Sequence, residues 1–445
     1  MSRGRFRRGP SRPPPTRSPV RAWLTWSIPT FLFLIAFFHR PAPGVMAKEL
    51  MAAFDATGAL VGLVSATYFY SYAGFMIPAG LLIDAYGVRR VVSAGGAVMA
   101  AGALLMAAAW SQPALFTGRF VVGLGATVTF VGALKVAATW FPASQFGTLS
   151  ALTATAGVLG SLIATVPLAW LVAAAGWRGA LAAVGLATLA GAALAGWLVR
   201  DRPDGGARDA PRPALRAVVR GMVEVLLNPH TWPPFLAFFF LYAAAGNIML
   251  WIVPCLRDVY GLPTTRAAGY AMATSLALLV AAPLTGVLSD RVVRRRKLPY
   301  TVLAAAQFAL WAVFVATLGA APLAWVWALL FLLGAASGSF VLTWPIGREV
   351  NPPALAGVAV AVVNLGGFLG AALTQGALGA VLDARWAGAV EAGARVYPVG
   401  AYRAAFAVCA AFVLAAALLT LLMRETHGRN IHAELRRAAP ARPRA

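Results

Sequence analysis

The sequence predicts an all-α membrane protein, with twelve transmembrane helices in two pseudo-symmetric six-helix bundles. Three observations carry this reading. The 445 residues are 60% hydrophobic and only 11% charged, with a mean hydropathy of +0.76, whereas a soluble domain is about 25% charged. Charge is stripped from twelve stretches, each near the roughly 20 residues that cross a bilayer. One long polar break, residues 200–231 with RDRPDGGARDAPRP, divides six stretches from six.

The first six spans are read as Ala22–Gly44, Gly58–Leu82, Val91–Trp110, Ala114–Val136, Leu149–Val172 and Gly179–Val199. The second six are Trp232–Pro254, Ala267–Leu288, Tyr300–Gly319, Leu323–Pro345, Leu355–Leu382 and Ala404–Met423. The chain then divides into a basic tail over 1–21, expected to be disordered, a bundle over 22–199 and a central loop over 200–231. A second bundle over 232–423 and a basic tail over 424–445, similar to the first, complete it. Within the loop, Pro213–Leu227 is expected to form a short amphipathic interfacial helix. The arginines of residues 1–21 precede an apolar run with no small-residue cleavage site, so this is not a cleaved signal peptide. Loop lysines and arginines divide roughly four to one in favour of the side holding the N-terminus. That places both termini in the cytoplasm of a multi-pass protein of a bacterial-type inner (plasma) membrane.

The net charge of +23 would point to nucleic acid in a soluble protein. Here it sits at the ends of apolar segments, with no basic face free for a duplex. Cys255 and Cys409 lie 154 residues apart in or near apolar stretches, so neither a disulfide framework nor a metal site is expected. No cofactor is implied, and the phosphate-binding loop of ATP-driven transport is absent from the sequence. An embedded enzyme would need His, Asp or Glu clustered at membrane depth, and the sequence offers none.

The two halves repeat. Ala156-Gly157-Val158-Leu159-Gly160 matches Gly366-Gly367-Phe368-Leu369-Gly370 at an offset of 210, as Pro142 matches Pro352 and Gly147 matches Gly357. Gly80-Leu-Leu-Ile-Asp84 matches Gly286-Val-Leu-Ser-Asp290 at 206. Duplicated bundles of this kind rock about a site near the midplane.

Two loops continue from the last match. The first reads Gly80-Leu-Leu-Ile-Asp84-Ala-Tyr-Gly87-Val-Arg89-Arg90; the second reads Gly286-Val-Leu-Ser-Asp290-Arg291-Val-Val-Arg294-Arg295-Arg296. This resembles the loop signature of the major facilitator superfamily, Gly-x-x-x-Asp-Arg-x-Gly-Arg-Arg, with Ala85 departing in the first copy and Val293 in the second. Arg119-Phe-Val-Val-Gly123-Leu-Gly125 resembles that superfamily's fourth-helix pattern. The resemblance covers nearly the whole chain. It implies a conformational latch built of Gly80, Asp84, Gly87, Arg89, Arg90, Gly286, Asp290, Arg291 and Arg294. Gly80 would let helices approach closely, Asp84 would accept from the amides at a neighbouring helix N-terminus, and Gly87 would allow a tight turn. The competing reading makes these residues plain positive-inside anchors.

Charge inside a span needs a reason. Arg40 falls in the outer part of span one, Arg119 in the outer part of span four and Lys135 in its inner part, and no Asp or Glu lies well inside any span. A cavity lined by cations without carboxylates attracts anions. Arg40 also resembles the first-helix arginine of the organophosphate antiporter and anion:cation symporter branches, which implies contact with an anionic substrate group. Snorkelling to an interface is the alternative for Arg40 and Lys135, and a structural pair for Arg119. Uncharged candidates are Tyr68 and Tyr72 one turn apart on span two, Asn247 and Trp251 on span seven, and Asn364 and Gln375 on span eleven, each alternatively an interhelical bond. His39 titrates near neutrality when unperturbed and, with Arg119, is the candidate for coupling.

The resulting expectation is a monomeric secondary active transporter, not an enzyme. It moves a small organic anion, a carboxylate or related metabolite, by alternating access, with a proton or other ion as possible co-transported partner. The alternative is an exporter of drugs, siderophores or other metabolites of the same superfamily. Span five lacks the glycine-proline pattern of drug:proton antiporters, which lowers that alternative.

Overall fold

The computed structural model describes residues 19–202 and 215–438. Most of the expected tail over 1–21, the middle of the loop over 200–231 and the last residues of the tail over 424–445 lie outside the described residues. Among the described residues, twelve helices are long and apolar enough to cross a membrane. In the first half they are α1 Pro19–Phe38, α2 Gly58–Tyr86, α3 Val88–Ala107, α4 Gln112–Trp140, α5 Phe146–Ile163 and α6 Val166–Leu198. The second half holds α7 Pro229–Tyr260, α8 Thr264–Val292, α9 Lys297–Thr317, α10 Leu323–Glu349, α11 Pro353–Asp383 and α12 Val399–Leu422. In hydrocarbon every backbone group must be satisfied within the segment, which forces long stretches without charge into helix.

Local signals set the ends. Thr57 accepts from the Leu60 amide at the start of α2, and Ser111 from the Ala114 amide at the start of α4; each cap satisfies one of the N–H groups a helix start leaves free. Gly87, at φ 91°, makes the turn from α2 into α3 that its sequence position suggests.

Two spans differ from expectation. Span one does not run unbroken to Gly44. α1 stops at Phe38, the chain kinks through His39, Arg40 and Pro41, and helix resumes over Ala42–Val45 and Ala47–Phe54. Pro41 and Pro43 withhold amides that an unbroken helix would need. Span five is also broken: α5 ends at Ile163, helix resumes at Val166, and Gly176 at φ 70° turns the chain into the sixth passage.

Within each half the helices at the periphery lean on one another. In the first, α3 packs on α4 and α6; in the second, α9 packs on α12 and α10. The duplicated glycine segments do the same work in both halves. A Cβ on Gly160 would collide with the Leu34 carbonyl of α1, and one on Gly370 with the Phe239 carbonyl of α7. Gly157 and Gly367 likewise face Phe33 and Phe238. Without a hydrophobic drive between helices in lipid, such backbone approach supplies the packing.

The halves meet mainly along α2 and α11. Gly58 and Gly62 of α2 face Gln375, Gly376 and Gly379 of α11 with no room for a Cβ. Gly379→Val would drive a side chain into the Gly58 carbonyl. It is expected to lower the thermal unfolding midpoint, since overpacking costs about 1–3 kcal/mol; an unchanged midpoint would show that the seam yields freely.

At the face that carries the chain ends, the amphipathic helix appears over Leu215–Leu227, and its Val225 packs with Phe235, Ala359 and Val362. The described part of the tail over 424–445 is ordered, contrary to expectation. The Ile431 amide donates to the Glu349 carbonyl at 2.8 Å, the Thr426 hydroxyl donates to the buried Glu349 carboxylate, and a short helix follows over His432–Ala438.

Candidate functional site

The kink in span one places Arg40 at the junction of the halves. Its Nη1 donates to the Tyr242 hydroxyl of α7 at 3.2 Å. Its guanidinium carbon lies 3.7 Å from the Phe37 ring centroid, 5.2 Å from Tyr72 and 5.1 Å from Phe368. Tyr68 lies ten residues into α2 from its far end, about 15 Å at the helical rise, so the group sits near the middle of the bundle. The sequence put Arg40 in the outer part of its span; the two short helices beyond the kink carry the chain the rest of the way.

Arg119 of α4 comes to the same place. It is 1% exposed, donates from Nη1 to the His39 carbonyl at 2.7 Å, and stacks over Tyr68 at 5.0 Å. The kink frees that carbonyl, and Arg119 takes it. Tyr68 and Tyr72 stack on each other at 5.9 Å, and the Tyr68 hydroxyl donates to the Ala36 carbonyl. His39 is fully buried. Among the described residues, Arg40 Nε, Arg119 Nε and Nη2, and both ring nitrogens of His39 have no hydrogen-bond partner. No carboxylate among the described residues reaches this group of side chains. The candidate set Arg40, Tyr68, Tyr72, His39 and Arg119 is thus brought together.

Other candidates are placed elsewhere. Lys135 is not in this cluster: its Nζ pairs with Asp84 at 2.8 Å, and both side chains are half-exposed near the face of the chain ends. Asn247 donates to the Ala243 carbonyl and to Thr374, and Gln375 donates to the Gly246 carbonyl. Both therefore knit α7 to α11, and Trp251 is buried farther along α7. Asn364 stays at the edge of the site, accepting from Trp344 Nε1 at 3.1 Å. Tyr242, Phe37 and Phe368 were not legible as site residues, because aromatic residues are common on spans and only the kink brings these three to Arg40.

Beyond the cluster the far face is shut. Lys48 and Asp258, 7% and 4% exposed, form an ion pair at 2.7 Å, and Lys48 also donates to the Arg395 carbonyl. Asp258 accepts from the Tyr397 amide and the Tyr402 hydroxyl. Arg257 pairs with Glu49 at 3.0 Å. Asp383 at the end of α11 accepts from the amides of Gly58 and Ala59, at 2.9 and 2.8 Å, where α2 begins. A carboxylate there also meets the positive end of the helix dipole.

The opposite face is open. A cavity of about 560 Å³ runs between α5 and the α8–α10 side, bounded by Asp290, Arg296, Trp344 and Arg348. Here a Cβ on Gly80 or Gly286 would meet nothing within 4 Å, so among the described residues no helix packs against either glycine in this state. Asp84 likewise faces Lys135 rather than helix amides. Arg89 holds the end of α6 through the Gly196 carbonyl at 2.6 Å, while Arg90 lies beside the apolar groove of α2–α4. In the second copy Arg296, not the exposed Arg291 or Arg294, pairs with Asp290. Glu425 caps the amides of Arg296 and Lys297. Burial would raise the Glu425 carboxyl, but the amides of Arg296, His427 and Thr426 more than reverse this and hold it below the usual range.

The Asp84–Lys135 pair is half-exposed and so contributes no more than about 1 kcal/mol. Asp84→Asn is therefore expected to leave cargo affinity within about twofold while slowing turnover, in equilibrium binding and uptake measured side by side. A loss confined to affinity would remove Asp84 from any latch.

A family model described as the Major Facilitator Superfamily matches residues 30–375. Among curated proteins the chain is similar to a probable sulfoacetate transporter, SauU, of Cupriavidus necator, at 26% identity over 59% of this chain and 64% of that one. It is also similar to an uncharacterized transporter, YybO, of Bacillus subtilis, at 26% identity over 37% of this chain and 38% of that one. The matches thus span less than two thirds of either relative. Among solved structures, a bacterial homolog of the human lysosomal transporter Spinster, in an inward-facing and unoccupied conformation, superposes with a TM-score of 0.72 at 16% identity, covering 91% of this chain and 97% of that one. A D-xylose-proton symporter gives 0.69 at 15% identity, covering 92% and 99%. At these identities the structural likeness speaks for the fold.

Proposed function

The chain belongs to the Major Facilitator Superfamily, and from that premise we propose that it is a secondary active transporter of a small organic anion, working by alternating access. The observation that carries this is the pair of buried guanidiniums, Arg40 and Arg119, with N–H groups left without partners and no carboxylate beside them among the described residues. A buried, unpaired cation costs several kcal/mol. An anion that bonds to Arg40 Nε and draws on the field of Arg119 relieves that cost, whereas a cation would add to it. Similarity to a relative named as a probable sulfoacetate transporter supports the same class of cargo.

The basic loops argue for cytoplasmic chain ends and an inner-membrane location, so the state described is inward-open. Cargo leaves or enters through the cavity beside α5 and α8, and the far-face ion pairs part in the opposite state. The Asp84 and Asp290 segments act as the latch of that opposite state, and His39 beside Arg119 is the group through which a proton would be coupled. The chain works as a monomer.

The test is uptake into proteoliposomes of a panel of carboxylates, sulfonates and phosphate esters, in both directions, with and without a pH gradient. Saturable movement of an anion, competed by other anions, is expected. A protein that moves only cations or neutral sugars would overturn the reading.

A further inference from the structure

We propose that the cargo is a monoanion with a flat apolar body, an arylcarboxylate in chemical class, rather than a small dianion, a phosphate ester or a polyhydroxy acid. This rests on the anion reading above and narrows it.

A run of neighbouring rings links the cavity wall to Arg40. Trp344, on the cavity wall, lies 5.8 Å from Phe340 and 6.1 Å from Phe238. Phe238 lies 5.5 Å from Tyr242, and Tyr242 holds Arg40. At the guanidinium itself, Phe368 closes the box, 4.8 Å from Tyr72 and 5.8 Å from Tyr242. Aromatic faces and edges of this kind hold another ring by offset or edge-on contact. They offer little to hydroxyl groups.

Several of the neighbouring hydrogen-bonding groups are spent on the protein. Asn364 Oδ1 accepts from Trp344, Asn247 Nδ2 is taken by Ala243 and Thr374, and the Tyr68 hydroxyl is taken by Ala36. A sugar acid would strip its several hydroxyls of water and find few replacements along this run of rings, a penalty that sets specificity. The count of charges points the same way. Of the two guanidiniums in the cluster, Arg40 is 9% exposed and Arg119 1%, and Arg119 is committed in part to the His39 carbonyl. One accessible guanidinium suits one carboxylate, bound through two parallel N–H donors. A second anionic group would lie among the rings.

The experiment is equilibrium binding to the purified full-length protein in nanodiscs, read by calorimetry, with benzoate, cyclohexanecarboxylate, acetate, sulfoacetate and benzyl alcohol as probes. Benzoate is expected to bind at least about tenfold tighter than acetate or sulfoacetate, with cyclohexanecarboxylate between and benzyl alcohol weakest. Phe368→Leu, which keeps the site filled, is expected to narrow the gap between benzoate and cyclohexanecarboxylate. Acetate or sulfoacetate binding as tightly as benzoate would overturn this inference and leave the anion reading standing. Benzyl alcohol matching benzoate, or no anion binding at all, would overturn both.

Discussion

Replacing Arg40 by alanine is expected to cut uptake at subsaturating cargo by about a hundredfold or more, because hydrogen bonds to a buried charged group are worth roughly 1.5–3 kcal/mol and the field of the site goes with them. Arg40 also packs over Phe37 and beside Tyr72 and Phe368, so the variant loses contacts as well as charge. Two controls separate these. Arg40→Met keeps most of the volume and should lose uptake equally. Arg40→Lys keeps the charge but not the planar fork, and should recover part of it. Thermal midpoints of the three variants report the packing. Uptake at the wild-type rate in the Ala and Met variants would remove Arg40 from the site.

The second large effect is expected at the far face. Asp258→Ala leaves Lys48 buried without its partner, and breaking a buried pair in this way costs about 3–5 kcal/mol. The protein escapes the cost by opening that face, where water reaches the ammonium. A change of that size shifts a two-state equilibrium by about a hundredfold or more. Gln375→Cys is a reporter, since Gln375 is buried where α11 meets Gly62 of α2. Labelling of that cysteine by a membrane-impermeant maleimide from the far side should rise steeply in the Asp258→Ala background. Unchanged labelling, with folding intact, would show that this pair does not hold the seam.

The sequence makes the spans, their number and the duplication legible, because each follows from local apolar length and from glycines that recur at one spacing. Gly160 and Gly370, matched at an offset of 210, perform the same approach in both halves. What stayed hidden depends on distant residues meeting. Lys135 finds Asp84 from another helix, and Tyr242 reaches Arg40 across 202 residues. Neither partner is marked by spacing. The far-face pairs were within reach: Lys48 and Asp258 are 210 residues apart, and Glu49 and Arg257 are 208 apart. The first separation equals the offset of the glycine repeat and the second falls two residues short of it, so applying that offset to the charges would have brought both pairs close to register. The state is another matter. A Cβ on Gly80 or Gly286 would meet nothing in this arrangement of the halves, so their part in the proposed latch belongs to the opposite state, which a single string of residues must also encode.

Those two far-face pairs are reciprocal: each half contributes one cation and one anion. When they separate, neither half carries away a net unit of charge from this region. A potential of 100 mV does about 2.3 kcal/mol of work on one elementary charge that crosses the membrane, yet on this balanced quartet it does almost none. In the proposed cycle, membrane voltage would then leave the parting of the far face alone; Arg40 and Arg119 return to their places in each turn, so the net charge moved per cargo molecule would be that of the cargo and any co-transported ion.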